Sequence, residues 1–117
     1  VALWDLLAKA ADKPLWAMLA GDAAPQPLTA YNTDGGWLNL SERQVVENCR
    51  RFVEVDGFRA VKMKVGKPDL AEDLGRVAAV REAIGGDVTL MVDANGRWDL
   101  DTALRADAAL HELGVFW

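Results

Sequence analysis

The sequence predicts an α/β fold, a partial TIM-type (β/α) barrel made of three strand–helix units and the start of a fourth strand. Short apolar runs alternate strictly with capped, amphipathic stretches, which is typical of parallel strands joined by right-handed crossovers. A doubly wound sheet is the competing architecture, but no strand-to-helix turn carries a glycine-rich dinucleotide fingerprint. The faces of the strands favour the barrel, because polar residues end two strands on one face.

Residues 1–27 form a lead-in region that precedes the alternation. Apolar residues recur at helical spacing over 1–11, and a short helical turn follows Pro14. We expect Trp4 and Trp16 to lie in the core. The stretch 22–27 contains two prolines and is predicted to be a connector.

Residues 28–117 contain the barrel units. Strands are predicted at 28–32, 60–65 and 88–93, and a fourth begins at Val115. The helices between them have start and stop signals. They are predicted to run from Ser41, with Gln44 completing a capping box, to Gly57; from Asp69 to Ile84; and from Asp99 or Asp101 to Leu113.

Composition excludes several classes of partner. A formal net charge of −5 argues against nucleic acid or an anionic membrane surface as partner. No apolar run is long enough to span a bilayer. The single cysteine, Cys49, permits no internal disulfide, which fits a cytoplasmic protein. We expect Cys49 to behave as a small buried hydrophobe and His111, on an outer helix, to be structural or solvated.

Two predicted strands carry polar side chains on a single face. Side chains alternate along a strand, so Lys62 and Lys64 share one face of the second strand, roughly 6–7 Å apart. Asp93 and Asn95 share one face at the end of the third strand. Parallel strands of a barrel present such residues at the C-terminal mouth. Polar groups at these positions are costly unless they serve each other or a ligand.

These residue types suit one kind of chemistry. Each lysine disfavours the charge of the other, so one of them can act as a neutral general base. The Asp93 carboxylate can hold a divalent cation through hard oxygen atoms. A lysine base beside carboxylate-held Mg²⁺ can remove a proton α to a carboxylate, because the cation stabilises the resulting enediolate.

The chain resembles the mandelate racemase and muconate lactonizing group of the enolase superfamily. The match is in an ordered set of motifs rather than in one pattern. It comprises a Lys-x-Lys strand at 61–66, a metal-ligand strand at 91–95, the helix that leads into the barrel at 2–5, 13–15 and 19–21, and the second barrel helix at 73–77 and 80–85.

The resemblance implies a role for each site residue. Lys64 would be the base on one face of the substrate, while Lys62 would tune it and contact the substrate carboxylate. Asp93 would be the first of three acidic Mg²⁺ ligands, with Asn95 beside the metal or substrate. Trp37, at the mouth after the first strand, is expected to wall the substrate pocket or to serve packing.

The resemblance also implies that this chain is part of a larger enzyme and is inactive by itself. The second ligand would lie in a Glu-Glu-Pro-like motif after Trp117, and 1–27 would follow a capping domain. The expected activity is racemisation or dehydration of a hydroxy or sugar acid by a cytoplasmic homo-oligomer. A muconate cycloisomerase or dipeptide-type epimerase is the alternative within the family.

Four other interpretations stay open at this point. Lys62 and Lys64 can belong to a solvated edge strand, with long side chains that reach water. The segment 93–96 can be a turn, since its residue types favour turns. The chain can be a structural half-barrel without catalysis, or the two lysines can form a phosphate clamp, for which Asp93 has no use.

Overall fold

A computed structural model describes residues 1–117 and contains five helices and two strands. The predicted alternation of strand and helix is confirmed from residue 42 onward. In chain order the elements are α1 (Ala2–Ala10), α2 (Leu15–Ala20), α3 (Glu42–Glu54), β1 (Ala60–Lys64), α4 (Leu70–Ile84), β2 (Thr89–Asp93) and α5 (Leu100–Glu112).

The two strands are parallel and lie side by side. Lys64 pairs with Asp93 at the C-terminal end of the ladder. Isolated parallel bridges extend the sheet on both sides, from Asn32 to Val61 and from Val115 to Leu90. The spatial order of these four segments is therefore their chain order. In a barrel wall, the strands follow one another in chain order. In a doubly wound sheet, the spatial order of the strands reverses at the first strand.

The predicted strand at 28–32 is wrong in extent, because only Asn32 pairs. Asn32 donates its N–H to the carbonyl of Ala60 at 3.1 Å and accepts from the Lys62 N–H at 2.8 Å. The prolines at 25 and 27 lack the N–H groups that a ladder needs. Leu28 is 90% exposed, so no burial holds this segment against β1.

Pairing resumes at Gly36, whose carbonyl accepts the Lys64 N–H at 2.7 Å. A regular parallel ladder would use residue 34 here, so the chain makes a two-residue excursion between Asn32 and Gly36. A Cβ at Gly36 would collide with the Cα of Met63, which is why only glycine permits this close approach. The excursion brings Trp37 to the end of β1.

The helix starts agree with the predicted caps. Ser41 and Gln44 form the reciprocal capping box of α3. The Asp69 side chain accepts from the Ala71 N–H at the start of α4. Asp99, rather than Asp101, caps α5 by accepting from the Thr102 N–H.

The core lies between the sheet and helices α3, α4 and α5. The buried cluster combines the outward-facing residues of the strands with one stripe of each helix. Cys49 belongs to it, as predicted, and burial raises the pKa of its thiol to about 11. The largest fully buried side chains are those of Met63, Leu90, Val45, Val61, Val65, Val77 and Val80.

The prediction that Trp4 and Trp16 are core residues is wrong for this chain. They are 51% and 53% exposed. Helices α1 and α2 pack against each other around buried Ala8, and their other faces are open. The radius of gyration is 17.9 Å, whereas a compact domain of this length would have about 13 Å. None of the helices is both long and apolar enough to cross a membrane.

Candidate active site

The polar residues of β1 and β2 meet at the C-terminal end of the sheet, on the face turned away from the helices. Lys62 and Lys64 project from β1, and Asp93 is the last residue of β2. The two lysine side chains are each 14% exposed and that of Asp93 is 27% exposed. The structure thus brings together three of the predicted site residues in a partly desolvated position.

One carboxylate oxygen serves both lysines. Asp93 Oδ2 accepts from Lys64 Nζ at 2.8 Å and from Lys62 Nζ at 3.3 Å. Lys64 Nζ also donates to Asn95 Oδ1 at 2.6 Å. β1 pairs with β2 on one side and bonds to Asn32 and Gly36 on the other, so the edge-strand interpretation does not describe this arrangement.

The surroundings of Asp93 strongly favour its ionised form. The hydrogen bond from Lys64 lowers the pKa of Asp93 to about 2, assisted by the Asn95 N–H and by Lys62, while desolvation acts in the opposite direction. The carboxylate is therefore charged at neutral pH.

The segment after β2 is a turn as well as part of the cluster. Asp93 Oδ1 accepts from the Asn95 N–H at 2.9 Å, which is an Asx-type turn. Asn95 has φ of 49° and Gly96 has φ of 71°, in the left-handed region that these two residue types tolerate best. The turn carries the Asn95 side chain back towards Lys64.

Aromatic rings surround the two ammonium groups. Lys64 Nζ lies 5.8 Å from the ring centroid of Trp37, which is within cation–π range. Tyr31 and Trp117 are functional candidates that the sequence interpretation missed. Each ring centroid lies 5.6 Å from Lys62 Nζ, and the two rings pack edge to face at 6.4 Å. The sequence signal that could have identified them is their position beside the first and fourth strands.

The oxygen atoms of Asp93 and Asn95 fit part of a site for a hard divalent cation. The chain holds no cluster of three His, Cys, Asp or Glu residues that could complete one. His111 is exposed in the last turn of α5, beside the groove at the start of β2, and thus lies away from this cluster, as predicted.

Comparison with known proteins agrees with this geometry. Residues 44–117 match the family described as enolase C-terminal domain-like. The whole chain is 42% identical to 29% of the length of the L-talarate/galactarate dehydratase of Salmonella typhimurium. It is also 44% identical to 31% of the 3,6-anhydro-alpha-L-galactonate cycloisomerase of Streptomyces coelicolor.

Solved structures give the same result. A racemase of Streptomyces coelicolor with bound magnesium matches 99% of this chain with a TM-score of 0.83 and 44% identity, over 34% of its own length. The Salmonella dehydratase, liganded with Mg and L-lyxarohydroxamate, matches the whole chain with a TM-score of 0.85 and 43% identity, over 29% of its length. The chain thus spans about a third of the length of these relatives. It belongs to the enolase C-terminal domain-like family, within the mandelate racemase and muconate lactonizing group of the enolase superfamily.

Proposed function

We propose that this chain supplies part of the active site of a Mg²⁺-dependent dehydratase or racemase of sugar acids, whose reaction begins with removal of a proton α to a carboxylate. The observation that carries the proposal is the cluster of Lys64, Asp93 and Asn95 at the ends of two parallel strands. The relatives include sugar-acid dehydratases, a cycloisomerase and a racemase.

Lys64 takes the role of general base in this proposal. It is the last residue of β1, one step closer to the mouth than Lys62 on the same face. Its Nζ bonds only to side chains at the open end of the sheet, those of Asp93 and Asn95. A substrate carbon placed there is within reach of the amine, whereas one near Lys62 would lie deeper in the barrel.

Lys62 takes the role of a fixed cation that contacts the substrate carboxylate. The rings of Tyr31 and Trp117 both lie within cation–π range of its Nζ. Asn95 and Trp37 flank Lys64 and are proposed to bind the substrate beside it, Asn95 through its amide and Trp37 through its ring.

Asp93 is the proposed metal ligand, and Asn95 lies next to it. When bound, Mg²⁺ supplies positive charge that offsets the negative charge developing on the substrate carboxylate. Asp93 binds through oxygen and is charged at neutral pH, which suits a hard cation. Its ionised carboxylate also weighs against the phosphate-clamp interpretation, because it would repel a phosphate held between the lysines.

The test is exchange of the substrate α-proton with solvent. The full-length protein that contains this chain is incubated in heavy water with galactarate or glucarate and Mg²⁺, and deuterium at the α-carbon is followed by NMR. We expect incorporation with Mg²⁺ and its loss in chelator. No exchange with any sugar acid, or exchange unaffected by chelator, would contradict the proposal.

A cycloisomerase is the second candidate, favoured by the 44% identity to the 3,6-anhydro-alpha-L-galactonate enzyme. Both candidates share the first proton transfer, so the identity of the product distinguishes them. A non-catalytic half-barrel is the remaining alternative. It predicts that Asp93→Asn leaves the Mg²⁺ affinity of the full-length protein unchanged in a calorimetric titration.

A further inference from the structure

Helix α4 buries two charged side chains that no part of the proposed reaction uses. Asp73 is 1% exposed and Arg76 is 2% exposed. Charged side chains are almost never buried to this extent unless their polar atoms are paired. Asp73 Oδ2 and the two terminal nitrogens of Arg76 bond to backbone groups at the mouth of the sheet, next to Lys64, whereas Asp73 Oδ1 and Arg76 Nε have no partner.

Arg76 joins two neighbouring strand–helix units. Its Nη2 donates to the carbonyl of Trp37 at 3.0 Å, and its Nη1 donates to the carbonyl of Lys64 at the longer distance of 3.4 Å. The planar guanidinium presents its donors at fixed angles. It therefore links the backbone of Trp37 to the end of β1, and the Trp37 ring lies 5.8 Å from Lys64 Nζ.

Asp73 fixes the backbone that follows Lys64. Its Oδ2 accepts from the N–H groups of Gly66 at 2.7 Å and Lys67 at 2.9 Å. One turn of α4 thus holds the Lys64 carbonyl through a cation and the N–H groups two and three residues later through an anion. The strand end that carries the proposed base is restrained on its outer side, away from the substrate.

We propose that Arg76 is a positioning residue for Lys64: it holds the strand end and the Trp37 loop so that Lys64 Nζ points to the substrate. This inference rests on the proposed function. A buried charged group is weak evidence for added stability compared with a well-packed apolar residue, so we assign to Arg76 a geometric role. Displacement of a reacting group by about 1 Å can cost about 10²-fold in rate.

The same helix provides a matched control in Arg81. Its guanidinium also donates to backbone carbonyls, those of Leu113 at 2.9 Å, Gly114 at 2.8 Å and Val88 at 2.7 Å, among others. These carbonyls lie before the start of β2 and at the start of the fourth strand, the opposite end of the sheet. Loss of Arg81 removes a comparable set of bonds without contact to Lys64.

The experiment compares Arg76→Met, Arg76→Lys and Arg81→Met in the full-length protein, at a temperature at which all variants are folded. We expect Arg76→Met to lower kcat about 10- to 100-fold with little change in KM. Arg76→Lys should recover part of this loss, since lysine keeps a donor but lacks the planar fork. Arg81→Met should lower Tm and leave kcat near the wild-type value. A wild-type kcat in Arg76→Met, or equal loss of kcat in the two methionine variants, would overturn the inference.

A second readout does not depend on activity. The Lys64 N–H donates to the Gly36 carbonyl at 2.7 Å, and its hydrogen exchange reports whether the strand end is held. We expect faster exchange of this amide in Arg76→Met than in Arg81→Met; equal protection would contradict the inference. If the wild-type protein showed no α-proton exchange with any acid, the proposed function would fail while this comparison still tested Arg76.

Discussion

The two faces of the β1–β2 sheet differ in burial and in chemistry. On the outer face, Met63 and Leu90 are completely buried against the helices. On the inner face, Lys62, Lys64 and Asp93 are only partly covered, and both lysines donate hydrogen bonds to Asp93. Neighbouring residues of one strand therefore face a packed core and a polar cluster.

The difference shows that alternate residues of each strand have different roles: one set stabilises the fold, and the other set carries the proposed chemistry. Burial of one large apolar side chain contributes about 1.5–3 kcal/mol, so the outer face holds the sheet to its helices. The polar cluster on the inner face contributes little to the stability of the fold, because the cost of desolvating the charges offsets part of their attraction. A substitution should consequently affect one property or the other, according to the face on which it lies.

The largest effect is expected from loss of the proposed metal ligand on the inner face. Asp93→Asn keeps the shape of the side chain but removes its charge. We expect the proposed activity of the full-length protein to fall by roughly 10³-fold or more, because metal stabilisation of developing charge is worth several kcal/mol. Mg²⁺ affinity measured by calorimetry should fall as well. Asp101→Asn, at an exposed position at the start of α5, is the control; full activity of Asp93→Asn in chelator would refute the assignment.

Met63→Ala tests the outer face. Met63, which lies between Lys62 and Lys64 in the sequence, is completely buried. Removal of its side chain should lower the free energy of unfolding by about 2–5 kcal/mol. The activity of the protein that remains folded should be close to wild type. Denaturant unfolding of the full-length protein measures the first, and Leu28→Ala, at a 90% exposed position, is the control. A loss below about 0.5 kcal/mol, typical of surface positions, would contradict the account of this face.

Lys62→Ala is expected to have the smallest effect of the three. Its proposed contact is with the substrate carboxylate, and a hydrogen bond to a charged group is worth about 1.5–3 kcal/mol. We expect KM to rise about tenfold or more, with a smaller change in kcat. Steady-state kinetics measure both constants, and Lys67→Ala, a lysine at the same mouth, is the control. An unchanged KM would remove Lys62 from the substrate site.

The features that depend on local sequence were predictable. Alternation along β1 placed Lys62 and Lys64 on one face, and the capping residues Ser41 and Asp69 located the starts of α3 and α4. Asp93 and Asn95 were assigned to the same mouth because parallel strands end together. These inferences need only the period of an element and the residue types at its ends.

Other features depend on contacts between distant segments. The strand predicted at 28–32 reduces to Asn32 because nothing packs on the residues before it. Tyr31 and Trp117 meet over Lys62 although 86 positions separate them, which no periodicity within one element shows. Arg76 lies on a helix whose local pattern does not indicate that its guanidinium reaches two carbonyls at the mouth.

The central claim is that Lys64, on the inner face, carries the proton transfer while its outer-face neighbours carry stability. The most direct measurement is α-proton exchange in heavy water by the full-length protein and its Lys64→Ala variant, with sugar acid and Mg²⁺ at saturation. The account predicts that exchange from one face of the substrate falls by about 10²–10⁴-fold, the usual contribution of a general base, while Tm changes little. Exchange by the Lys64→Ala variant at the wild-type rate would contradict the claim.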